Sequence, residues 1–235
     1  MPEEVFDPAL FEELRKFDTP TICNALEIVL GGRRISGFTT EQFVCADPKL
    51  PPLVGYARTA TLRAAAPSRA SAQEARDLRM RYYEYAASPP HPTIMVVQDI
   101  DARPGLGAWW GEVHTLVHQK LGSLGAITNG AIRDLDFVAP GFQLLGGKIV
   151  PSHAFVHIVD FGLEVDIFGL TIRHNDLIHA DKHGAVVIPA EAANALPRAI
   201  QVMVSREQLL LEVARRPGFT VADIRRAMEQ GDDIH

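Results

Sequence analysis

The sequence predicts an α/β domain with helices at both ends. Three observations carry this reading. Thr93–Gln98 is a short apolar run, Gly111–Leu121 has helical spacing, and Ala126–Thr128 is apolar again, which is the strand, helix, strand order of a βαβ unit. Phe142–Leu145, Lys148–Val150, Phe155–Phe161, Val165–Leu170 and Asp176–Ala180 are β-like runs separated by Gly-rich and polar turns. From Ala190 to about Arg215 the chain reads as one long helix, with Pro197 as a place to bend.

The remaining elements follow in order. Leu10, Phe11, Leu14 and Phe17 recur at helical spacing after Pro8, with Asp7 as cap. The next helix takes Thr19 as N-cap and Pro20 as its first helical residue. It runs through Ile22, Leu26 and Val29, encloses Asn24, and stops at Gly31-Gly32. Arg33 to Pro52 is irregular. Val54 to about Ala64 is a long strand, supported by Thr59 and Thr61, with Arg58 and Arg63 in or near it. Ala72–Ala87 is a helix dense in charge, ended by Pro89-Pro90-His91-Pro92. Asp99 and Asp101 follow the carboxyl end of the Thr93–Gln98 strand, and Pro104-Gly105-Leu106-Gly107 is a turn. Ala185–Ile188 is a further strand. Thr220-Val221-Ala222-Asp223 is a capping signal with Asp in place of Glu and opens a last helix. No repeat or linker interrupts this order, so residues 1–235 read as a single domain with a core over about 19–190 and a helical extension over about 191–235.

Composition narrows the function classes. With 235 residues, 47% apolar and 22% charged, the chain is long enough to bury a sizeable core. A net charge of -6 argues against a general nucleic-acid binder, although Arg76, Arg79 and Arg81 form a local basic group. Cys23 and Cys45 have neither CxxC nor zinc spacing; they suit a reducing cytoplasm and leave one disulfide open. Met1-Pro2-Glu3-Glu4 is acidic and shows no signal peptide, and no apolar stretch is long enough for a membrane span. The expectation is a cytoplasmic protein without a membrane or nucleic-acid partner.

Gly125 to Asp136 holds the densest chemistry. Ala126-Ile127-Thr128 is a buried strand, and Asn129-Gly130 is a sharp turn of residues that tolerate positive φ. Arg133 and Asp134 then interrupt an apolar segment, with Asp136 close behind. Charges past the carboxyl end of a strand suit a cleft of an α/β sheet. Arg offers a planar fork for a carboxylate, and Asp a hard oxygen for a divalent cation. Two readings stand: a carboxylate substrate on a metal, or a surface ion pair capping a turn. Ahead of this stretch, Gly111 opens the central helix at Glu112, Val113 and His114, where a small residue lets an anion approach free N–H groups.

Other constellations carry less. His114 and His118 lie four apart on one helix, but Thr115 stands where a zinc protease needs Glu. His174, His179 and His183, with Asp176 and Asp181, fit either a metal cluster or polar turns and strand edges. His153 and His157 share a face if their strand begins early enough. Trp109-Trp110 reads as core or subunit contact rather than a platform for bases. There is no G-x-S-x-G, P-loop or dinucleotide fingerprint.

Gly111-Glu112 with Gly125-Ala126-Ile127-Thr128-Asn129-Gly130-Ala131-Ile132-Arg133-Asp134 resembles the core pattern of the regulator-of-ribonuclease-activity-A-like family, which includes divalent-metal 4-hydroxy-4-methyl-2-oxoglutarate aldolases and oxaloacetate decarboxylases. Thr19 to Leu26 resembles its first helix, and Asn175 to Pro189 its late double strand. The likeness covers most of residues 19 to 215. It implies a swivelling-type β/β/α sandwich and a homotrimer or hexamer with sites between subunits. It also implies that Asp134 binds Mg2+ or Mn2+ directly and that Arg133 holds a 2-keto acid. The backbone around Gly111, Glu112, Val113 and His114 would receive the carboxylate, and Glu112 would order water on the metal. A Glu from the late helix of a neighbouring subunit would complete the shell through water, with Glu207 first and Glu212 as alternative. The chain departs from the family pattern at Asn24, Asn129, His174-Asn175 and Lys182-His183, and none of these removes Arg133 or Asp134.

The implied function is a metal-dependent carbon–carbon lyase that passes through a pyruvate enolate, by retro-aldol cleavage or by decarboxylation. The rival reading is a non-catalytic regulator of a ribonuclease. A third is a sugar-acid hydratase using the same enolate. The family's methyltransferase label finds no Gly-rich methyl-donor loop here.

Overall fold

Caps set the amino-terminal helices. In the computed structural model, which describes residues 5–232, α1 (Pro8–Leu14) is capped by Asp7, whose carboxylate accepts the Ala9 N–H at 2.9 Å. α2 (Thr19–Val29) is capped by Asp18 rather than Thr19, with Asp18 Oδ1 accepting the Thr21 N–H at 3.0 Å. Thr19 is already helical and serves another purpose: its N–H donates to Asp181 at 3.0 Å and its hydroxyl meets His179 at 3.0 Å. The acidic Met1–Glu4 lead lies outside the described residues.

The chain then builds β1 (Val44–Cys45), β2 (Leu53–Arg63), α3 (Ala72–Ala86), β3 (Thr93–Asp99), β4 (Ala108–Trp110), α4 (Glu112–Lys120) and β5 (Ser123–Thr128). It continues with β6 (Ala131–Ile132), a 3-10 turn at Leu135–Phe137, β7 (Gln143–Gly146), β8 (Lys148–Ile149) and β9 (His157–Phe161). β10 (Val165–Ile167), β11 (Leu170–Ile172), β12 (Leu177–Asp181) and β13 (Gly184–Ile188) follow. α5 (Ala190–Ala193), α6 (Leu196–Ala214) and α7 (Val221–Asp232) close the described chain. The α/β class holds, and β3, α4 and β5 form the expected βαβ unit, with β3 and β5 parallel.

The main sheet runs β1-β7-β5-β3-β2-β12-β13, with β9 also on β2. β2 is long because it serves three neighbours. Tyr56 to Leu62 pairs in parallel with β3, Leu53 to Tyr56 pairs antiparallel with β12, and Ala60 to Arg63 pairs with β9. Both faces of this sheet are buried, which is why its central strands read as unbroken apolar runs. Ile94, Val96, Ile127 and Leu145 point to the side covered by the β10–β11 hairpin. Met95, Val97, Ala126 and Leu144 point to the side that also holds Tyr82 of α3 and Trp110. Farther along, Val54 and Tyr56 pack with α1, α2, α5 and α6.

Two departures from the sequence reading have local causes. The long carboxyl-terminal helix is broken at 194–195, and Pro197 sits in the first turn of α6 instead of bending it. That is the place where a missing N–H costs nothing. β4, β6 and β8 make a second, small parallel sheet that periodicity does not reveal, because β6 and β8 are two residues each. This small sheet carries the site.

Candidate functional site

The turn after β5 steers the chain from the main sheet into the small one. Asn129 and Gly130 do this without the positive φ expected of them. Instead the Asn129 side chain clamps the end of β3: its Oδ1 accepts the Asp99 N–H at 2.7 Å and its Nδ2 donates to the Asp99 carbonyl at 3.1 Å. Asp99 itself is buried, and desolvation raises its carboxyl above the usual range despite N–H donation from Gly105 and Asp101. β6 then pairs with β4 on one side and β8 on the other. The Arg133 N–H continues this pairing by donating to the Trp110 carbonyl at 2.9 Å.

Asp134 breaks the pairing. Its backbone is left-handed, at φ 54 and ψ 42. Asp is one of the few L residues that adopts this region at modest cost, and such residues gather at functional sites. The turn brings its carboxylate to the amino end of α4. Oδ2 lies 3.4 Å from the Glu112 N–H and 3.5 Å from Nε of Arg133. Gly111 is the N-cap of α4 and brings no capping side chain. Its φ of -166 is ordinary extended backbone, so its role is spatial. The first-turn N–H groups of Glu112, Val113 and His114 lack intrahelical partners by position and form an anion-receptive end.

The site is therefore displaced from the carboxyl edge of the main sheet. Residues 133–137 and 149–151 line an open cleft of about 520 Å³ beside the α4 terminus. A separate cleft of about 420 Å³, at the ends of β5 and β7, includes Asn129, Lys148, Asp166 and Phe168.

The imidazoles near the site are neutral supports. His118 is buried; its Nδ1–H donates to the His114 carbonyl at 2.6 Å, leaving Nε2 to accept from the Tyr82 hydroxyl at 2.9 Å. Burial lowers it to about 4. His114 stacks on Trp109 at 3.9 Å between ring centroids. Burial, with His118, Arg79 and Arg133 nearby, lowers it to about 3. At neutral pH neither imidazole adds a positive charge, so cationic recognition falls to Arg133. Trp109 and Trp110 are both buried core residues.

The late histidines are structural as well. His179 is buried, donates from Nε2 to the Phe17 carbonyl at 3.1 Å, and accepts from Thr19; burial lowers it to about 4. Asp181 accepts the N–H groups of Thr19 and His183. His174 bonds the Tyr85 hydroxyl at 2.9 Å. His153 lies outside β9, so it and His157 do not form a strand face. Among the described residues, no group of three or more His, Cys, Asp or Glu side chains is placed to hold a metal. Cys23 and Cys45 are free and half-buried. Among the described residues no helix is long and apolar enough to cross a membrane.

Of the residues singled out from sequence, Gly111, Glu112, Arg133 and Asp134 come together, with the backbone of Val113 and His114 on the same helical turn. Glu207 and Glu212 do not join them: α6 packs on α1, α2 and α7. The cleft-lining Phe137 and Ile149 were not signalled by any motif. Only the strand alternation around Ile149 could have marked it as facing away from Lys148.

The chain and its fold match a known class. The family described as RraA-like (Aldolase/RraA) matches residues 19–187, and the chain belongs to it. Comparison with curated proteins gives no match. Among solved structures, the chain is similar to an uncharacterized protein from Pseudomonas syringae pv. tomato str. DC3000, at 21% identity and a TM-score of 0.74, over 98% of this chain and 97% of that one. It is also similar to Streptomyces coelicolor RraAS2, described as an unusual member of the RNase ES inhibitor RraA family, at 23% identity and 0.66, over 92% of this chain and all of that one (100%). RraA from Thermus thermophilis, described as an RNA-processing inhibitor, matches at 14% identity and 0.51, over 71% and 92%. These likenesses establish the fold.

Proposed function

We propose that the chain is a divalent-metal-dependent lyase that cleaves a carbon–carbon bond next to a 2-keto acid, by retro-aldol reaction or decarboxylation. The observation that carries this is the left-handed turn at Asp134, which sets a carboxylate beside both Arg133 and the open end of α4. The donor set suits Mg2+ or Mn2+. A hard cation of this kind is held by one or two carboxylates and keeps waters and substrate oxygens in its remaining positions. Gly111 leaves room for the Asp134 carboxylate to approach the end of α4, space that a Cβ there would take. A cation at Asp134 would supply Lewis-acid stabilisation of the charge that develops on the 2-keto oxygen.

The chain's own groups do the rest. The first-turn N–H groups of α4 receive the substrate carboxylate. Arg133 fixes a positive charge beside the keto group and stays in place during reaction. Glu112, exposed on that turn, holds or moves the proton at C3.

One chain leaves the cation with few protein ligands, and we assign the remaining carboxylate to a neighbouring copy. Glu207 and Glu212 are both exposed on α6, beyond its buried residues Leu196, Ala199, Ile200 and Met203. Glu207, four residues past Met203, is the first candidate and Glu212 the alternative. Exposed Val113 and Leu116 on α4 offer an apolar contact for a homotrimer or hexamer. The ribonuclease-regulator reading rests on the names of relatives, and no residue of this chain favours it.

The test is pyruvate release from oxaloacetate, coupled to lactate dehydrogenase, with Mg2+ and then with EDTA. Turnover that EDTA abolishes supports the proposal. No turnover with Mg2+ or Mn2+, here and with 4-hydroxy-2-keto acids, removes it.

A further inference from the structure

We infer that Thr115 is a positioning residue for this site: its hydroxyl fixes the turn that carries Asp134 against the amino end of α4, and so sets the spacing between a cation on Asp134 and a carboxylate on the helix. The inference deepens the lyase reading above and rests on it. Residues 133–139 are fastened at both ends to the junction of β4 and α4. At the near end the Arg133 N–H donates to the Trp110 carbonyl at 2.9 Å. At the far end the Ala139 N–H donates to Thr115 Oγ1 at 3.1 Å. The Thr115 hydroxyl donates in turn to the Glu112 carbonyl at 2.9 Å, in the first turn of α4. One oxygen therefore ties the far end of the Asp134 turn to Glu112, the residue whose N–H lies 3.4 Å from Asp134 Oδ2.

Burial makes this tie hard to replace. Thr115 and Ala139 are both buried. Without the hydroxyl, the Ala139 N–H would lose its partner away from water. Between the fastened ends, the Phe137 N–H donates to the Asp134 carbonyl at 2.8 Å, so the turn is closed on itself and passes on the position of either end. Gln119, one helical turn along the same face of α4, adds a second tie by donating Nε2 to the Pro140 carbonyl at 2.9 Å. That bond is exposed and water can take its place, so the fixed spacing falls to Thr115.

The test reads the coupling between two ligands rather than turnover. A cation and an anion-receptive helix end at the right spacing share one 2-keto acid, so pyruvate tightens Mn2+ binding, and Mn2+ tightens pyruvate by the same factor. Mn2+ affinity of the full-length protein is measured by electron paramagnetic resonance with and without pyruvate. In the wild type pyruvate should tighten Mn2+ at least about fivefold. Thr115→Val, which keeps the shape and removes the hydroxyl, should show no more than about twofold, and Thr115→Ser should regain the wild-type ratio. A loss of stability alone leaves this ratio unchanged in a variant that circular dichroism shows to be folded. If Thr115→Val does not fold, Thr115→Cys, whose sulfur is a weak donor and acceptor, replaces it and should show a reduced ratio. Wild-type coupling in the folded variant overturns the inference, as does a Thr115→Ser ratio no better than that of Thr115→Val. Absence of coupling in the wild type overturns it too, and where a keto acid is nevertheless cleaved, the lyase reading survives alone. Coupling that depends on the Thr115 hydroxyl, in a protein that cleaves no keto acid, leaves the inference standing and removes the lyase reading.

Discussion

The carboxylate of Asp134 occupies the space that a side chain on Gly111 would need. A Cβ at Gly111 would lie 2.5 Å from Asp134 Oδ2 and 3.2 Å from Cγ of Arg133. One added methyl group therefore pushes on both charged residues of the site at once. Gly111→Ala should lower Mg2+-dependent turnover at least about tenfold, at a stability cost of about 1 kcal/mol. Turnover and urea midpoints measured together check this. Wild-type turnover in a folded variant would show that the close approach is unimportant.

Asp134 separates charge from backbone strain. Asn shares its tolerance of left-handed backbone but is not a charged ligand. Asp134→Asn should therefore melt close to the wild type and lose metal-dependent turnover by at least about a hundredfold. Asp134→Ala should lose the same activity and, in addition, about 1 kcal/mol of stability. Thermal melts of the two variants side by side distinguish these outcomes.

Glu207 is predicted to act across subunits. Glu207→Gln should be inactive alone, and so should Asp134→Asn. Mixed assemblies refolded or co-expressed from the two chains should regain activity, because some sites then hold both intact residues. Glu212→Gln should stay within about twofold of wild type, since Glu207 is the carboxylate assigned to the site. Failure of the mixed assemblies to recover would place Glu207 outside the site.

Acid should begin to destabilise the fold through its buried histidines. In the unfolded chain, imidazoles protonate near pH 6.5, whereas burial keeps His118 and His179 neutral down to about 4. Between these values the unfolded chain binds more protons, so stability is full above about pH 6.5 and falls as pH drops toward 4. Each histidine contributes a slope of up to about 1.4 kcal/mol per pH unit. Urea denaturation at a series of pH values measures it. His118→Gln should remove one histidine's share of the slope.

How much was legible follows from the range of each cause. Asp7 before Pro8 and the apolar run of β3 are local signals, and both hold. The capping box of Ser71 and Glu74 was equally local and was passed over in the sequence reading. Thr19 misled because it is a good capping residue whose polar groups are claimed by His179 and Asp181, 160 and 162 residues away. The small sheet was invisible because two-residue strands have no period. At the site, Arg133 and Asp134 were legible as residue types. Their geometry was not, since the positive φ falls on Asp134 instead of on Asn129 or Gly130. That choice is imposed by Asn129 clamping β3 and by Arg133 pairing with Trp110, contacts between separate elements.

The most direct test of the account is Mn2+ binding, followed by electron paramagnetic resonance, in the wild type and in Asp134→Asn, with and without pyruvate. The account predicts one Mn2+ per chain in the wild type, tightened by pyruvate, and at least about tenfold weaker binding in the variant. Equal binding by the two proteins would contradict it, because the cation would then be held somewhere other than at Asp134.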